Sequence, residues 1–197
     1  MTVYQANFLK GSLMIPESRI VARLLLSDPD EQGWRQAILE ENILQKRTRN
    51  TAKTQAGIIR QRLHTMPKAL WQWVANGSPE TTRQALLAAT VKLSPLLGDF
   101  MRLTLKDLCH SFQETLPSLA WQRYMDDRRQ QEPDMPHWSD ATHGKLRQNA
   151  YRILCEAGFL TDTQTLTLRR VFITPEVISC LEAHREEYAL SCLQVCP

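Results

Sequence analysis

Apolar residues recur at intervals of three and four along most of the chain, which is the spacing of one face of an α-helix. The pattern predicts helices over residues 17–26, 30–44, 51–66, 67–75, 79–93 and 95–116. Proline stands at the first position of several of these segments, where its missing N–H costs nothing. Ser78, Ser94 and Thr174 directly precede such prolines and are suited to capping the first turn. We therefore expect a mainly α-helical fold.

The segment 95–116 differs from the other predicted helices because it is apolar on more than one side. Its apolar residues include Leu96, Leu97, Phe100, Met101, Leu103, Leu105, Leu108 and Phe112. A helix that is apolar nearly all round is a central one. We expect this helix to be the hub of an N-terminal helical bundle.

Residues 126–136 form a polar stretch with the sequence DDRRQQEPDMP. The stretch is charged, contains two prolines and lacks apolar periodicity. These features indicate a linker or a domain boundary. The sequence therefore predicts an N-terminal helical domain over residues 1–125, a linker over 126–136 and a C-terminal domain over 137–197.

The C-terminal part has a different pattern from the rest. A helix is predicted over about 140–156, and Gly158 is suited to ending it in a left-handed cap. After a polar turn at 161–164, residues 165–173 are rich in β-branched side chains and alternate in polarity, which predicts a strand. The alternation sets Leu166, Leu168 and Phe172 against Thr167 and Arg169. A last helix follows over about 175–187, so the unit, with one short β-hairpin, resembles the second half of a winged helix-turn-helix.

Composition places the chain among ordinary globular proteins, with 43% apolar and 23% charged residues. The net charge of +3 is too mild to indicate a partner by itself. The chain has no run of roughly 20 apolar residues and no signal-peptide pattern, so we expect no membrane span and a cytoplasmic location. Its five cysteines form no Cys-x-x-Cys motif, and reduced, mostly buried thiols are expected.

One stretch of the chain is basic, because residues 42–79 contain no Asp or Glu. Cations mixed with short polar donors near a helix N-terminus are suited to binding phosphate groups. The candidate contacts are Lys46, Arg47, Arg49, Lys53, Arg60 and Arg62. The alternative is a solvated face whose acidic partners come from other helices.

A second group of candidate nucleic-acid contacts lies in the winged-helix-like unit. Lys145, Gln148, Asn149 and Arg152 would form the exposed face of its recognition helix, and Arg169 and Arg170 would lie on the wing. Such side chains are suited to base edges and phosphates in a major groove. Many winged helices bind protein instead, so the shape alone does not establish DNA binding.

No catalytic site can be assembled from the sequence. There is no nucleophile elbow, no phosphate-binding glycine loop and no dinucleotide fingerprint. His137 and His143 lie six residues apart, which does not place two imidazoles on one helical face, and no third ligand is evident. We therefore assign no catalytic, cofactor-binding or metal-binding residue and expect no cofactor.

Several segments together resemble a known family. They are YQANFLKGSLMIPESR at 4–19, ENIL at 41–44, the Arg62-Leu63 pair, PLLGDFM at 95–101 and the tail from 145 to 175. The set is similar to the BrxA family of BREX (bacteriophage exclusion) phage-defence systems. The resemblance implies a mainly α accessory protein whose N-terminal part is similar to the antitermination factor NusB and which binds double-stranded DNA. It also implies partners among the other BREX proteins, namely a methyltransferase, a phosphatase-like protein and ATPases.

Three functions remain open from the sequence. The first is a non-catalytic, double-stranded DNA-binding subunit of a BREX complex. The second is a protein–protein adaptor whose basic face docks acidic partners within that complex. The third is RNA binding, which rests on analogy with NusB alone.

Overall fold

A computed structural model of the chain describes residues 4–9 and 11–196. Its helices are α1 (Ile15–Leu26), α2 (Glu31–Arg35), α3 (Arg49–His64), α4 (Lys68–Asn76), α5 (Pro79–Leu93), α6 (Pro95–Asp99), α7 (Lys106–His110), α8 (Ala120–Gln131), α9 (Asp140–Ala157), α10 (Pro175–Ala183) and α11 (Glu187–Leu193). π-helical turns at Gln36–Glu40 and Phe100–Leu105 continue α2 and α6. The predicted mainly α fold is confirmed.

Short polar side chains cap some of the helices where the sequence indicated a start, but the predicted caps Ser94 and Thr174 accept no capping hydrogen bond within the described residues. Ser78 accepts a hydrogen bond from the N–H of Thr81 and begins α5 with Pro79 in its first turn. Ser139 accepts one from the N–H of Thr142 at the start of α9. Gly158, with a φ of 91°, ends α9 in the left-handed conformation as predicted.

The predicted continuous helix over 95–116 is wrong in extent. The helix runs without a break through α6, the π-helical turn at Phe100–Leu105 and α7, but it ends at His110 and not at residue 116. The central position belongs to α5, which packs against α1, α3, α4, α6, α9, α10 and α11. In α5, every residue from 84 to 91 is buried, so its packing surface extends around the helix.

One core cluster includes residues on both sides of the predicted linker. Phe100 packs edge-on against Trp121 of α8 and also stacks with Tyr151 of α9, at centroid distances of 4.9 and 6.4 Å. Residues 126–131, the first half of the predicted linker, are the last turns of α8. The division into two domains remains a prediction.

The predicted strand over 165–173 forms isolated antiparallel bridges only. Leu168 bridges to Leu160, and the N–H of Thr161 donates to the carbonyl of Thr167 at 3.0 Å. The predicted hairpin is therefore present but only a few residues long. On its other side the segment pairs with 114–116, through the Thr115–Thr167 bridge. Phe172 does not share the half-buried side of Leu166 and Leu168, because it is 77% exposed.

The cysteines differ from the prediction that all are reduced. Cys109 and Cys196 are joined by a disulfide with a Cα–Cα distance of 5.5 Å. Cys155, Cys180 and Cys192 are free thiols. Among the helices of the described residues, none combines the length and hydropathy needed to cross a membrane.

Candidate nucleic-acid interface

The exposed face of α9 carries the clearest polar stripe predicted from the sequence. Lys145, Gln148 and Arg152 are spaced three and four residues apart and are all exposed, which places them on one side of the helix. The opposite side carries Leu146 and Leu154, which are fully buried in the core. Burial of the apolar side therefore fixes the orientation of the stripe toward solvent.

Asn149 lies beside this stripe but has a different role. Its side-chain amide donates to the backbone carbonyls of Phe8 and Leu9 at 3.0 and 2.9 Å. Both donors of the amide are therefore used to hold the N-terminal segment against α9. For this reason we leave Asn149 out of the proposed interface.

Arg147 extends the polar surface of α9 and was not among the predicted contacts. It is exposed and lines a surface cavity of about 630 Å³ together with Gln148, Arg152 and Thr163. This cavity lies between α9 and the turn at 161–165, so helix and turn border one open surface. Helical spacing assigns Arg147 to the flank of the core side, so periodicity gave no signal for it.

The turn at 161–165 is held by a single carboxylate. Asp162 accepts hydrogen bonds from the N–H groups of Gln164 and Thr165 and from the Thr165 hydroxyl, each at 2.7 Å. These hydrogen bonds lower the pKa of Asp162 to about 2. The bond from the Thr165 side chain has the largest effect, and those from the two backbone groups follow. The turn is therefore a well-defined polar loop.

Arg169 and Arg170 lie at the base of this hairpin and not on its turn. The N–H of Arg169 donates to the carbonyl of Phe159 at 3.0 Å, which is the hydrogen bond farthest from the turn. Both side chains are exposed. They border two cavities, one with Cys109 and Phe112 and one with Glu80 and the C-terminal end of α9. The two arginines therefore lie where the hairpin begins and not at its turn, and their role as wing contacts stays a prediction.

The N-terminal end of the basic helix α3 presents three exposed cations. Arg47 precedes the helix, while Arg49 and Lys53 lie on its first turns. Thr48 caps the helix by accepting a hydrogen bond from the N–H of Thr51 at 3.1 Å. Within residues 4–9 and 11–196, none of the three cations has an ion-pair partner within 4.0 Å. This end of α3 is therefore open to an anionic ligand.

Two other predicted contacts in the basic stretch are paired within the chain. Lys46 forms an ion pair with Glu17, and both side chains are mostly buried. Arg60 forms one with Glu31 at 2.6 Å and lies 4.7 Å from the centre of the Trp34 ring. The hydrogen bond from Arg60 lowers the pKa of Glu31. Acidic partners from other helices therefore neutralise part of the basic face.

Arg62 lies inside the protein. Its side chain is 1% exposed, and its Nη1 donates to the carbonyl of Ser12 at 2.6 Å. Burial lowers the pKa of Arg62 to about 10, and nearby Glu156 opposes this shift. A guanidinium in this position cannot reach a phosphate without unfolding the segment around it. We therefore leave Arg62 out of the proposed interface.

The candidates on α3 and those on α9 form two groups that no hydrogen bond or ion pair joins in the described part of the chain. One group lies at the N-terminal end of α3, and the other lies on α9 beside the turn. The described residues also contain no cluster of three or more His, Cys, Asp or Glu side chains that could hold a metal ion. These features define a mainly helical protein whose candidate site is an open polar surface.

The chain belongs to the BrxA family, because the model of that family matches residues 2–185. The resemblance of the segments at 4–19, 41–44 and 95–101 to that family is thus confirmed.

Similar proteins cover almost the whole chain. A protein of Paramagnetospirillum magneticum described as "BREX protein BrxA" is 45% identical, over 98% of this chain and 96% of its own. One of Escherichia coli O9:H4 with the same description is 36% identical, over 95% of this chain and 88% of its own. The crystal structure of an uncharacterized protein from Magnetospirillum magneticum matches with a TM-score of 0.90 and 44% identity, over 98% of this chain and 100% of that one.

Proposed function

We propose that this chain is a non-catalytic accessory subunit of a BREX anti-phage defence system and that it binds double-stranded DNA in the cytoplasm. Membership of the BrxA family supports the role in BREX defence. One observation carries the proposal of DNA binding. It is the exposed stripe of Lys145, Gln148 and Arg152 on α9, next to the turn at 161–165.

The order of elements around α9 supports this interpretation. The paired segment 114–116 is followed by α8, α9 and the bridged segments 159–161 and 166–168. This is the order of a winged helix-turn-helix, in which the second helix of the pair enters the major groove and the hairpin lies beside it. Lysine, arginine and glutamine are suited to base edges and phosphates there.

The N-terminal end of α3 would supply a second contact, to the DNA backbone. Among the described residues, Arg47, Arg49 and Lys53 have no ion-pair partner, and they lie near the positive end of the α3 helix dipole. Contacts to phosphates position a protein on the duplex without reading its sequence. We therefore expect binding that tolerates many sequences and weakens steeply with salt.

The test is fluorescence anisotropy of a labelled duplex with the purified, nuclease-treated protein at two salt concentrations. The double variant Lys145→Glu/Arg152→Glu is compared with Arg23→Glu/Arg185→Glu, which makes the same charge change at exposed residues outside both groups. We expect the first pair to weaken binding by about tenfold or more and the second pair to have little effect. If both double variants lost the same affinity for the duplex, the loss would come from the change in net charge and not from contacts made by α9.

A matched RNA in the same assay distinguishes the alternatives. Preference for single-stranded or structured RNA over the duplex would favour the RNA-binding function suggested by NusB. Absence of binding to either nucleic acid at low salt would leave the α9 stripe as a surface for protein partners.

A further inference from the structure

Three large hydrophobic side chains are exposed in the described part of the chain, and two of them border the same pair of arginines. Phe112 is 81% exposed and Phe172 is 77% exposed. Phe112 lines one cavity with Arg169 and Arg170, and Phe172 lines another with the same two arginines. We call these four residues the Phe-Arg patch. Large apolar side chains gathered at one place on a surface are typical of sites that bind other proteins.

The cavity at Phe112 opens where two paired segments separate. The N–H of Leu168 donates to the carbonyl of Glu114 at 2.8 Å, which is the last hydrogen bond between them. Beyond that bond a cavity of about 680 Å³ lies between residues 112–114 and 167–170, and Cys109 and Cys196 also line it. A volume of this size accommodates several side chains of a bound segment.

Phe112 occupies a backbone position that disfavours its side chain. With a φ of 54°, it follows the end of α7 in the left-handed conformation. The N–H of Phe112 donates to the carbonyl of Cys109, and the N–H of Gln113 donates to the carbonyl of Leu108. These two hydrogen bonds end the helix in a Schellman motif. Glycine is the residue that suits this position. Because the ring is also exposed, neither backbone geometry nor core packing explains a phenylalanine here.

Phe172 is presented by a fixed backbone. Its carbonyl accepts a hydrogen bond from Nε2 of the buried Gln84 at 2.9 Å, and Oε1 of the same amide accepts from the N–H of Thr174 at 2.8 Å. The N–H of Val171 donates to the carbonyl of Cys196 at 2.9 Å. The backbone on both sides of Phe172 is therefore held while its ring points into solvent.

The charges of the Phe-Arg patch indicate the chemistry of a partner. Neither Arg169 nor Arg170 has an ion-pair partner within 4.0 Å among residues 4–9 and 11–196. Arginine and aromatic side chains are the residue types that most often dominate the binding energy of protein interfaces. We propose that the Phe-Arg patch docks an acidic segment of a partner protein that also carries apolar side chains.

A protein segment fits this surface better than a single-stranded nucleic acid. A single strand requires a continuous positive groove with stacking platforms. Here Glu114 lines the cavity at Phe112, and Glu80 lines the one at Phe172. The Glu114 carboxylate interrupts the positive charge at the cavity of Phe112, and at the cavity of Phe172 the Glu80 carboxylate forms an ion pair with Arg83 at 2.8 Å. The described residues of the patch therefore do not form a continuous positive groove, whereas a peptide with spaced acidic residues can contact Arg169 and Arg170 and avoid Glu114.

The test begins with a random peptide library displayed on phage. The library is first depleted on the variant Phe112→Gly/Arg169→Glu/Arg170→Glu and then selected on the unaltered chain. We expect enriched peptides to combine Asp or Glu with aromatic or aliphatic residues. Enrichment of basic peptides, or no enrichment over the depleted library, would overturn the proposal.

An enriched peptide is then labelled and its affinity measured by fluorescence anisotropy. Phe112→Gly should weaken its binding by at least about tenfold, and Phe172→Ser should act in the same direction. Leu119 is also exposed but lies outside the patch, so Leu119→Ala should leave binding of the peptide unchanged. Equal loss with Leu119→Ala would show that the contact is not specific to the patch.

Phe112→Gly also separates docking from folding. Glycine adopts the left-handed conformation without strain, so we expect the variant to keep or raise its melting temperature. Duplex binding through α9 should be unchanged in this variant. A single-stranded oligonucleotide that competes with the peptide and loses affinity in the same variants would instead assign the patch to nucleic acid and overturn the proposal.

Discussion

Arg62 and Glu156 bind neighbouring residues of one short stretch of backbone. Arg62 of α3 donates to the carbonyl of Ser12 at 2.6 Å, and Glu156 of α9 accepts from the N–H of Leu13 at 2.7 Å. The negative charge of nearby Glu156 also favours the charged form of Arg62. The residues before α1 thus connect the basic helix to the helix that carries the proposed DNA contacts.

Replacement of Arg62 by Met should therefore destabilise the fold. The substitution removes the donors to the half-buried carbonyls of Ser12 and Gly11 and leaves Glu156 without its nearby cation. We expect a loss of about 2–4 kcal/mol in the free energy of unfolding, measured by urea denaturation. Arg49→Met on the exposed part of α3 is the control and should change stability little. A surface role for Arg62 would instead give little destabilisation and a clear loss of DNA affinity.

The helices with caps were the best-predicted part of the fold. Pro79 begins α5 where Ser78 and the proline predicted it, and Gly158 ends α9 as predicted. No range was predicted for helix α8, because its buried residues, Ala120, Trp121, Tyr124 and Met125, all lie in its first half. The second half carries only polar side chains, so apolar periodicity gave no sign of a helix there.

The candidate site was predicted less completely, because charge alone does not distinguish exposed from buried cations. Arg62 lies three residues after Ile59 and next to Leu63, on the buried side of α3, and this spacing is the signal that could have identified it. Asn149 gave no such signal, because its acceptors lie 140 and 141 residues away along the chain. Phe172 was assigned to the wrong side because the chain stops pairing as a strand after Arg169.

The salt dependence of DNA binding should become weaker when the α9 stripe loses its charges. Each phosphate contact contributes a slope of about −0.9 to the dependence of log affinity on log salt. Lys145→Glu/Arg152→Glu should therefore make the slope shallower by roughly two, as measured by anisotropy across a salt series. Arg49→Glu/Lys53→Glu should have a similar effect if α3 also contacts the backbone. A slope unchanged by the second pair would restrict the interface to α9.

The turn at 161–165 should lose its order at strongly acidic pH. The pKa of Asp162 is lowered from 3.8 to about 2, so its stabilising hydrogen bonds are fully present above 3.8 and are lost as pH falls through 2. The amide resonances of Gln164 and Thr165 should report this transition in two-dimensional NMR spectra. Asp162→Asn, which keeps an acceptor but does not titrate, should abolish the transition. A midpoint at or above 3.8 would contradict the hydrogen-bonded geometry.

Because Cys109 and Cys196 form a disulfide, we expect the number of reactive thiols in the chain to rise on reduction. Under denaturing, non-reducing conditions three thiols should react with a maleimide, and all five cysteines should react after reduction. The bond closes a loop with a sequence separation of 87 residues, so by the chain-entropy model it contributes about 4–5 kcal/mol.

Dithiothreitol should accordingly lower the melting temperature of the oxidised chain. Cys109→Ser should melt at the temperature of the reduced chain and show no response to dithiothreitol. Cys155→Ser, which replaces a free thiol, is the control and should keep the full response. Five reactive thiols in protein purified without a reductant would mean that the bond does not form in solution. Residues 112–114 and 167–170 would then surround a cavity bordered by two free thiols, and the loop between Cys109 and Cys196 would contribute no cross-link to stability.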